Sequence, residues 1–154
     1  MSDQRIRIGS VVLILLISIW ALIRTSEPME AKTARIQFPN GVVVTAGVAQ
    51  TQAERSLGLS GHAPLLENEG LLFLFEKDLI PSFWMKDMLF PIDIIWIAGD
   101  RVEGFAQQAQ PETPPTTYYK SKSPVNRVLE VSAGFVADNQ VKVGDQLDIE
   151  LPSK

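Results

Sequence analysis

The chain has 154 residues, with 14 basic and 18 acidic side chains and no cysteine. That length allows one ordinary domain and an appendage. The mild acidity argues against nucleic acid as a partner, which needs clustered positive charge; the absence of cysteine excludes disulfides, a thiol nucleophile and thiolate metal ligation.

Arg5 and Arg7 precede an uncharged, mostly apolar run from Ile8 to Ile23, closed by Arg24. As a helix at about 1.5 Å per residue this run reaches roughly 24 Å, a little short of a bilayer core near 30 Å. Snorkelling Arg side chains cover the difference. Residues 1–24 therefore read as one N-terminal hydrophobic helix acting as a signal anchor, with a cleaved signal peptide as the rival. A short tail before a larger domain suggests a single-pass chain in the cell membrane with the domain on the extracytoplasmic side, or a secreted domain if the segment is cleaved. Residues 25–33 contain Pro28, lack an apolar period and read as a tether. The domain is expected over 34–152.

Arg35 to Phe38 alternates, Pro39-Asn40-Gly41 is a strong turn signal, and Val42 to Val48 is β-branched; together they predict a hairpin. At Thr51 the pattern changes. Thr51-Gln52-Ala53-Glu54 fits a capping box, Ala53 and Leu57 share one face, and Gly58 or Gly61 ends a helix of about two turns. Arg55 then points away from that apolar face or lies at its edge. Gly70 to Phe75 is continuously apolar and bounded by Glu76-Lys77-Asp78, as expected for a strand covered on both faces. Phe83-Trp84-Met85 begins the next extended piece, which Pro91 interrupts. Ile92 to Ile97 is the second apolar strand, and Ala98 to Arg101 turns it into a hairpin with Val102 to Ala109.

Gln110 to Pro124 holds four prolines and a Tyr118-Tyr119 pair and is expected to be an irregular loop, either functional or a plain surface crossover. Asn126 to Val131 returns to strand. Ser132 is expected to cap a short helix, Ala133 to Asp138. Leu147, Ile149 and Leu151 alternate with polar residues in a final half-buried strand. These elements predict an α+β, β-dominated domain: a mostly antiparallel sheet curled into a partly closed barrel or sandwich, with two short helices.

The single histidine, His62, excludes a histidine cluster for zinc, and Gly58-Leu59-Ser60-Gly61-His62 misses the nucleophile-elbow pattern at its last position. No metal site and no cofactor are expected, and no catalytic residue can be named. Asp93 is the most informative polar residue. Alternation puts it on the face of Ile95 and Ile97, opposite Ile92, Ile94 and Trp96. A carboxylate there is at least half buried and needs partners; Arg55, Lys86, the hydroxyls of Tyr118 and Tyr119, and backbone amides are the candidates. One reading is a carboxylate that ties down the fold, the other a functional pocket. Glu130, between Leu129 and Val131, either faces solvent on an edge strand or joins Asp93 in a cleft. Two carboxylates in one cleft could perform acid–base work on a glycosidic bond. Trp84 and Trp96 read as core more readily than as a sugar platform.

The chain resembles the DUF192 family over about Val42 to Leu151. The resemblance is carried by Ala49 to Leu59, Gly70 to Phe75, Phe83-Trp84-Met85-Lys86, Pro91-Ile92-Asp93-Ile94, Val128-Leu129-Glu130-Val131 with Gly134, and Gly144-Asp145. Ser60 and Leu71 stand where the pattern has Met, and Met88 where it has Thr, which weakens any Met-lined metal site. The resemblance implies a small β-rich domain, usually exported, and brings no activity, cofactor or catalytic residue. Its motif positions Arg55, Trp84, Lys86, Asp93 and Glu130, with Tyr119 of the proline-rich loop, are the candidate ligand-binding residues. The leading expectation is a non-catalytic, envelope-anchored domain that binds a small polar ligand, an envelope component or a partner protein. A glycan-directed hydrolase using Asp93 and Glu130 and a purely structural scaffold are the alternatives.

Overall fold

The structure, a computed structural model, describes residues 32–112 and 114–153. The expected N-terminal hydrophobic helix and nearly all of the tether lie outside the described residues. Among those residues no helix is long and apolar enough to cross a membrane.

Among the described residues nine strands and two helices follow in order: β1 (Thr33–Gln37), β2 (Val43–Ala49), α1 (Gln52–Leu57), β3 (Glu69–Leu79), β4 (Ser82–Phe83), β5 (Ile92–Ala98), β6 (Arg101–Ala109), β7 (Tyr119–Lys120), β8 (Val125–Ser132), α2 (Phe135–Asp138) and β9 (Asp148–Glu150). Seven strands form one sheet in the order β6-β5-β8-β3-β2-β1-β9, and β4 pairs with β7 in a separate ribbon. The turn at Pro39-Asn40-Gly41 closes the expected β1–β2 hairpin, with Gln37 opposite Val43 and Gly41 at φ 90°. Among the named strands only β2 and β3 pair in parallel; the other strand pairs are antiparallel.

The sheet curls into a half-barrel. One corner joins the two ends of the strand order: the Val102 amide donates to the Asp145 carbonyl (2.9 Å) and the Leu147 amide to the Asp100 carbonyl (2.8 Å). These bonds tie the start of β6 to the segment that enters β9, which pairs in turn with β1.

The central strands β3, β8 and β5 bury both faces. One face gathers Ile36, Val44, Leu72, Ile95, Ile97, Leu129 and Val131 with Phe135 and Val136 of α2. The other gathers Phe73, Ile92, Ile94, Trp96 and Val128 under Leu59, Met85, Met88 and Phe90. Runs without polar alternation are what such strands require. Gly70 lies where β3 closely approaches β8. A Cβ there would sit 2.8 Å from the Glu130 carbonyl oxygen, so Gly70→Ala is expected to push the strands apart and destabilise by roughly 1–3 kcal/mol, read as a lower Tm.

Asp93 is fully buried on the Ile95 face, paired across β5–β8 with Val131. Its Oδ1 accepts the Gln108 amide at 2.8 Å and its Oδ2 the Val136 amide at 2.9 Å. Both donors need it. Gln108 lies where β6 carries one residue more than β5, at φ 52°, and such a bulge turns an amide out of the ladder. Val136 is in the first turn of α2, whose N-cap is Gly134 and offers no side-chain acceptor. A carboxylate at that helix start also meets the positive end of the backbone dipoles. Asp93 is therefore the cap of α2 and the clamp of the β6 bulge.

Several expectations change. Ser132 does not cap the second helix; it ends β8, and Asp93 supplies the cap from another strand. β3 runs through Glu76-Lys77-Asp78 to Leu79, past the charged stop, with its last residues exposed. The proline-rich loop is not wholly irregular, because Phe83 and Tyr119 pair in the β4–β7 ribbon. Asp93→Ala would remove the acceptor of the buried Val136 amide and of the part-buried Gln108 amide and is expected to cost about 2–4 kcal/mol. Denaturant unfolding measures that loss.

Candidate functional site

The site lies on the sheet face opposite Asp93. Helix α1 forms one wall. Thr51 Oγ1 accepts the Glu54 amide (3.2 Å), while Glu54 Oε2 accepts the amides of Thr51 (2.8 Å) and Gln50 (2.9 Å), the reciprocal cap expected from the sequence. The Thr51 amide, then that of Gln50, holds the Glu54 carboxyl below its ordinary range. Gly58 ends the helix at φ 51°.

The packing face of α1 differs from the expected one. Ala53 and Leu57 are exposed, Leu57 at 60%. Arg55 turns inward instead. Its guanidinium donates to the carbonyls of Gln50 and of Leu74 (3.0 Å in the latter case) and lies 5.2 Å from the Phe75 ring centroid. A six-residue helix is thus held to the sheet by one cation, two carbonyls and an aromatic face.

The opposite wall is the segment from Leu79 to Met88. Ser60 Oγ donates to the Lys86 carbonyl (3.0 Å) and the Gly61 amide to the Asp87 carbonyl (2.9 Å), joining the two walls at one end. Between them is a cavity of about 480 Å³, within the range of small-molecule sites. Phe73, Phe75, Phe83, Leu59 and Met88 supply much of its apolar lining. Phe73 and Phe83 meet edge to face with ring centroids 4.9 Å apart. Trp84 stands at the rim, 48% exposed, its ring 6.0 Å from Tyr118.

Glu130 also lines this cavity. It projects from β8 on the face shared by Leu71 of β3 and Ile94 of β5. The residue is 5% exposed, and its Oε2 has no hydrogen-bond partner among the described residues. Desolvation pushes its carboxyl up to about 8. At neutral pH the cavity thus presents a protonated acid, at once a donor and an acceptor.

The six sequence candidates divide. Arg55, Trp84 and Glu130 line the cavity. Lys86 is exposed beside it, 3.9 Å from Asp87 and 6.0 Å from the Trp84 ring. Tyr119 is half-buried in the β4–β7 ribbon and packs on the apolar cluster behind the site. Asp93 is on the other side of the sheet. Its pairing with Glu130 in one cleft does not form, because Asp93 opposes Val131 while Glu130 opposes Ile94, and adjacent positions on a strand face opposite ways. Glu130 is also not on an edge: β8 is flanked by β5 and β3. Of Trp84 and Trp96, Trp96 is core as expected, and Trp84 is not.

Sequence reasoning missed Phe73, Phe83 and Met88 as wall residues, since an apolar side chain that faces a cavity reads the same as one that fills a core. It also missed Glu112, which orders the proline-rich loop. Its carboxylate accepts the amides of Thr116 (2.7 Å) and Thr117 (2.8 Å) and both threonine hydroxyls. The Thr117 hydroxyl, then these amides, pulls the Glu112 carboxyl down to about 2. A Glu followed within five residues by a Thr pair was the available signal.

A β-dominated half-barrel with an acid-lined apolar pocket defines a small pocket-bearing domain. The chain belongs to the DUF192 family, described as "Uncharacterized ACR", whose family model matches residues 35–149. Two solved structures are similar. A protein of unknown function from Novosphingobium aromaticivorans shares 29% identity at a TM-score of 0.70, over 79% of this chain and 89% of that one. A Sinorhizobium meliloti protein described as "a putative transcription regulator" shares 28% at 0.68, over 76% and 92%. No curated protein matches.

The buried acid makes stability depend on pH. Below the ordinary carboxyl range, near 4.5, Glu130 is protonated both folded and unfolded and has no pH-linked cost. As pH rises toward about 8, only the unfolded chain ionises, so folding loses stability across that window. Glu130→Gln removes this penalty. The variant is expected to gain stability over the wild type from pH 4.5 to 8, by a few kcal/mol at most, and to gain no more above that. Melting curves across pH measure the difference.

Proposed function

We propose that this protein is a non-catalytic binding domain, held at the extracytoplasmic face of a membrane by its N-terminal segment, whose ligand enters the Glu130 pocket. The observation that carries the reading is a buried carboxyl, one oxygen of it without a partner, lining a mostly apolar cavity. A lone buried polar group costs stability unless something completes its hydrogen bonds. A ligand with an apolar body and one polar group would do so. The apolar run between Arg7 and Arg24 supports the anchored placement.

Binding is favoured over catalysis because, among the described residues, the only ionisable side chains lining the cavity are Glu130 and Arg55, and the Arg55 guanidinium is occupied by two main-chain carbonyls. The hydrolase reading needs a second carboxylate across the groove, and Asp93 lies behind the sheet. The description of the Sinorhizobium protein suggests nucleic acid, but a net charge of −4 gives this chain little attraction for phosphate.

A thermal-shift screen of small molecules on the full chain tests the proposal, with Ser56→Trp filling the cavity from α1 and Asp93→Asn as a control behind the sheet. Binding compounds at about 100 times their Kd should stabilise the wild type by about 2.7 kcal/mol. The same compounds should shift Asp93→Asn equally and leave Ser56→Trp unmoved. A screen without hits, or hits that survive in Ser56→Trp, would remove the pocket from the account.

A further inference from the structure

We infer that the pocket selects organic cations, an ammonium group on an apolar body, with Glu130 as the counter-ion and the surrounding aromatic rings as the cage. This rests on the pocket reading above and adds the chemical class of the ligand. The first reason is the ring population: Phe73, Phe75, Phe83 and Trp84 all line a cavity of about 480 Å³. Aromatic faces attract cations and have no such attraction for anions, and the effect grows in a desolvated site. The second reason is the missing counter-charge. Glu130 of β8 is buried, its Oε2 is unpartnered, and the only cation lining the cavity, Arg55, donates to the carbonyls of Gln50 and Leu74 with its guanidinium over Phe75.

Among the described residues no other titratable group lines the cavity from the elements around it. From β3 come Phe73, Phe75 and Leu79, from β4 Ser82 and Phe83, and from the following loop Trp84 and Met88. α1 contributes Arg55 alone among charged groups. An anion entering this space would meet an acid and aromatic rings, with the Arg55 guanidinium already bonded to two carbonyls. A neutral ligand would gain one hydrogen bond. A cation would gain an ion pair in a low-dielectric site as well as the rings.

Proton balance gives the inference a signature. The free pocket holds the Glu130 proton near neutral pH, and an ammonium ligand retains its own. Forming the ion pair releases the Glu130 proton to solvent, one per ligand bound. Cation affinity must therefore rise with pH until Glu130 ionises unaided near 8, by up to about tenfold per unit. A neutral ligand gains nothing over that range.

Benzylamine, benzyl alcohol and benzoate have one apolar body with cationic, neutral and anionic heads. The full chain in nanodiscs, labelled with ¹³C-methyl methionine, reports binding through the Met88 methyl in the cavity wall. Benzylamine is expected to bind at least tenfold more tightly than benzyl alcohol at pH 8, with an affinity that rises from pH 6 to 8. Benzoate should be the weakest. In Glu130→Gln, benzylamine should fall to the level of benzyl alcohol and lose its pH slope, while benzyl alcohol binding persists and shows that the pocket is intact. If benzyl alcohol matches or exceeds benzylamine, or if benzylamine binds Glu130→Gln undiminished, cation selection is overturned and the pocket stands. If none of the three moves the Met88 signal at millimolar concentration, cation selection and the pocket reading fall together.

Discussion

Strands β3, β8 and β5 are covered on both faces, and that double burial governs the chemistry of every side chain they carry. In such a position a charged group must be apolar in effect, paired, or neutralised. Two carboxylates sit on neighbouring strands under this constraint and meet it in opposite ways. Asp93 accepts two backbone amides, those of Gln108 and Val136. Glu130, one pair along the ladder and on the other face, has an Oε2 without a partner and answers desolvation by holding its proton.

The two acids mark two different faces of the sheet, one tied together by Asp93 and one where Glu130 lines a cavity. On the Asp93 face, a single side chain joins the β6 bulge, the start of α2 and β5. That is why α2, only four residues long, can hold its place without a cap of its own. On the Glu130 face the packing is incomplete. The walls there are a short helix and loop segments, and they leave a cavity where the sheet would otherwise meet a second layer. A helix as short as α1 has little intrinsic stability; its capping box and Arg55 fix it in place. Arg55 thereby shapes the pocket without supplying a free charge to it.

Much of the local structure was legible in the residues. The β1–β2 hairpin follows from Pro39-Asn40-Gly41, the α1 cap from Thr51 and Glu54, and the doubly covered strands from runs without polar alternation. Alternation also set the facing of Asp93 correctly. The errors have physical causes. Charges at 76–78 looked like a strand end, but β3 continues with those residues in solvent. Ser132 looked like a helix cap because propensity sees only neighbours in the chain. Leu57 looked like the buried face of α1, yet a long cationic side chain with carbonyls and a ring in reach packed better than a leucine. Glu130 was recognised as a misfit but assigned to an edge or to Asp93, since strand order is invisible from one strand.

The residues alone determined that the domain is β-dominated, that Asp93 is buried and must find partners, and that the chain belongs with a family bearing the Phe83-Trp84-Met85 and Pro91-Ile92-Asp93 motifs. These depend on interactions within a few residues, or on burial that a one-dimensional pattern records. Only the tertiary structure decided which carboxylate is satisfied and which faces an open cavity. Both sit in apolar runs and look alike in the sequence. What separates them is the strand order β5-β8-β3 and the segment folded over each face, a matter of packing between residues far apart in the chain.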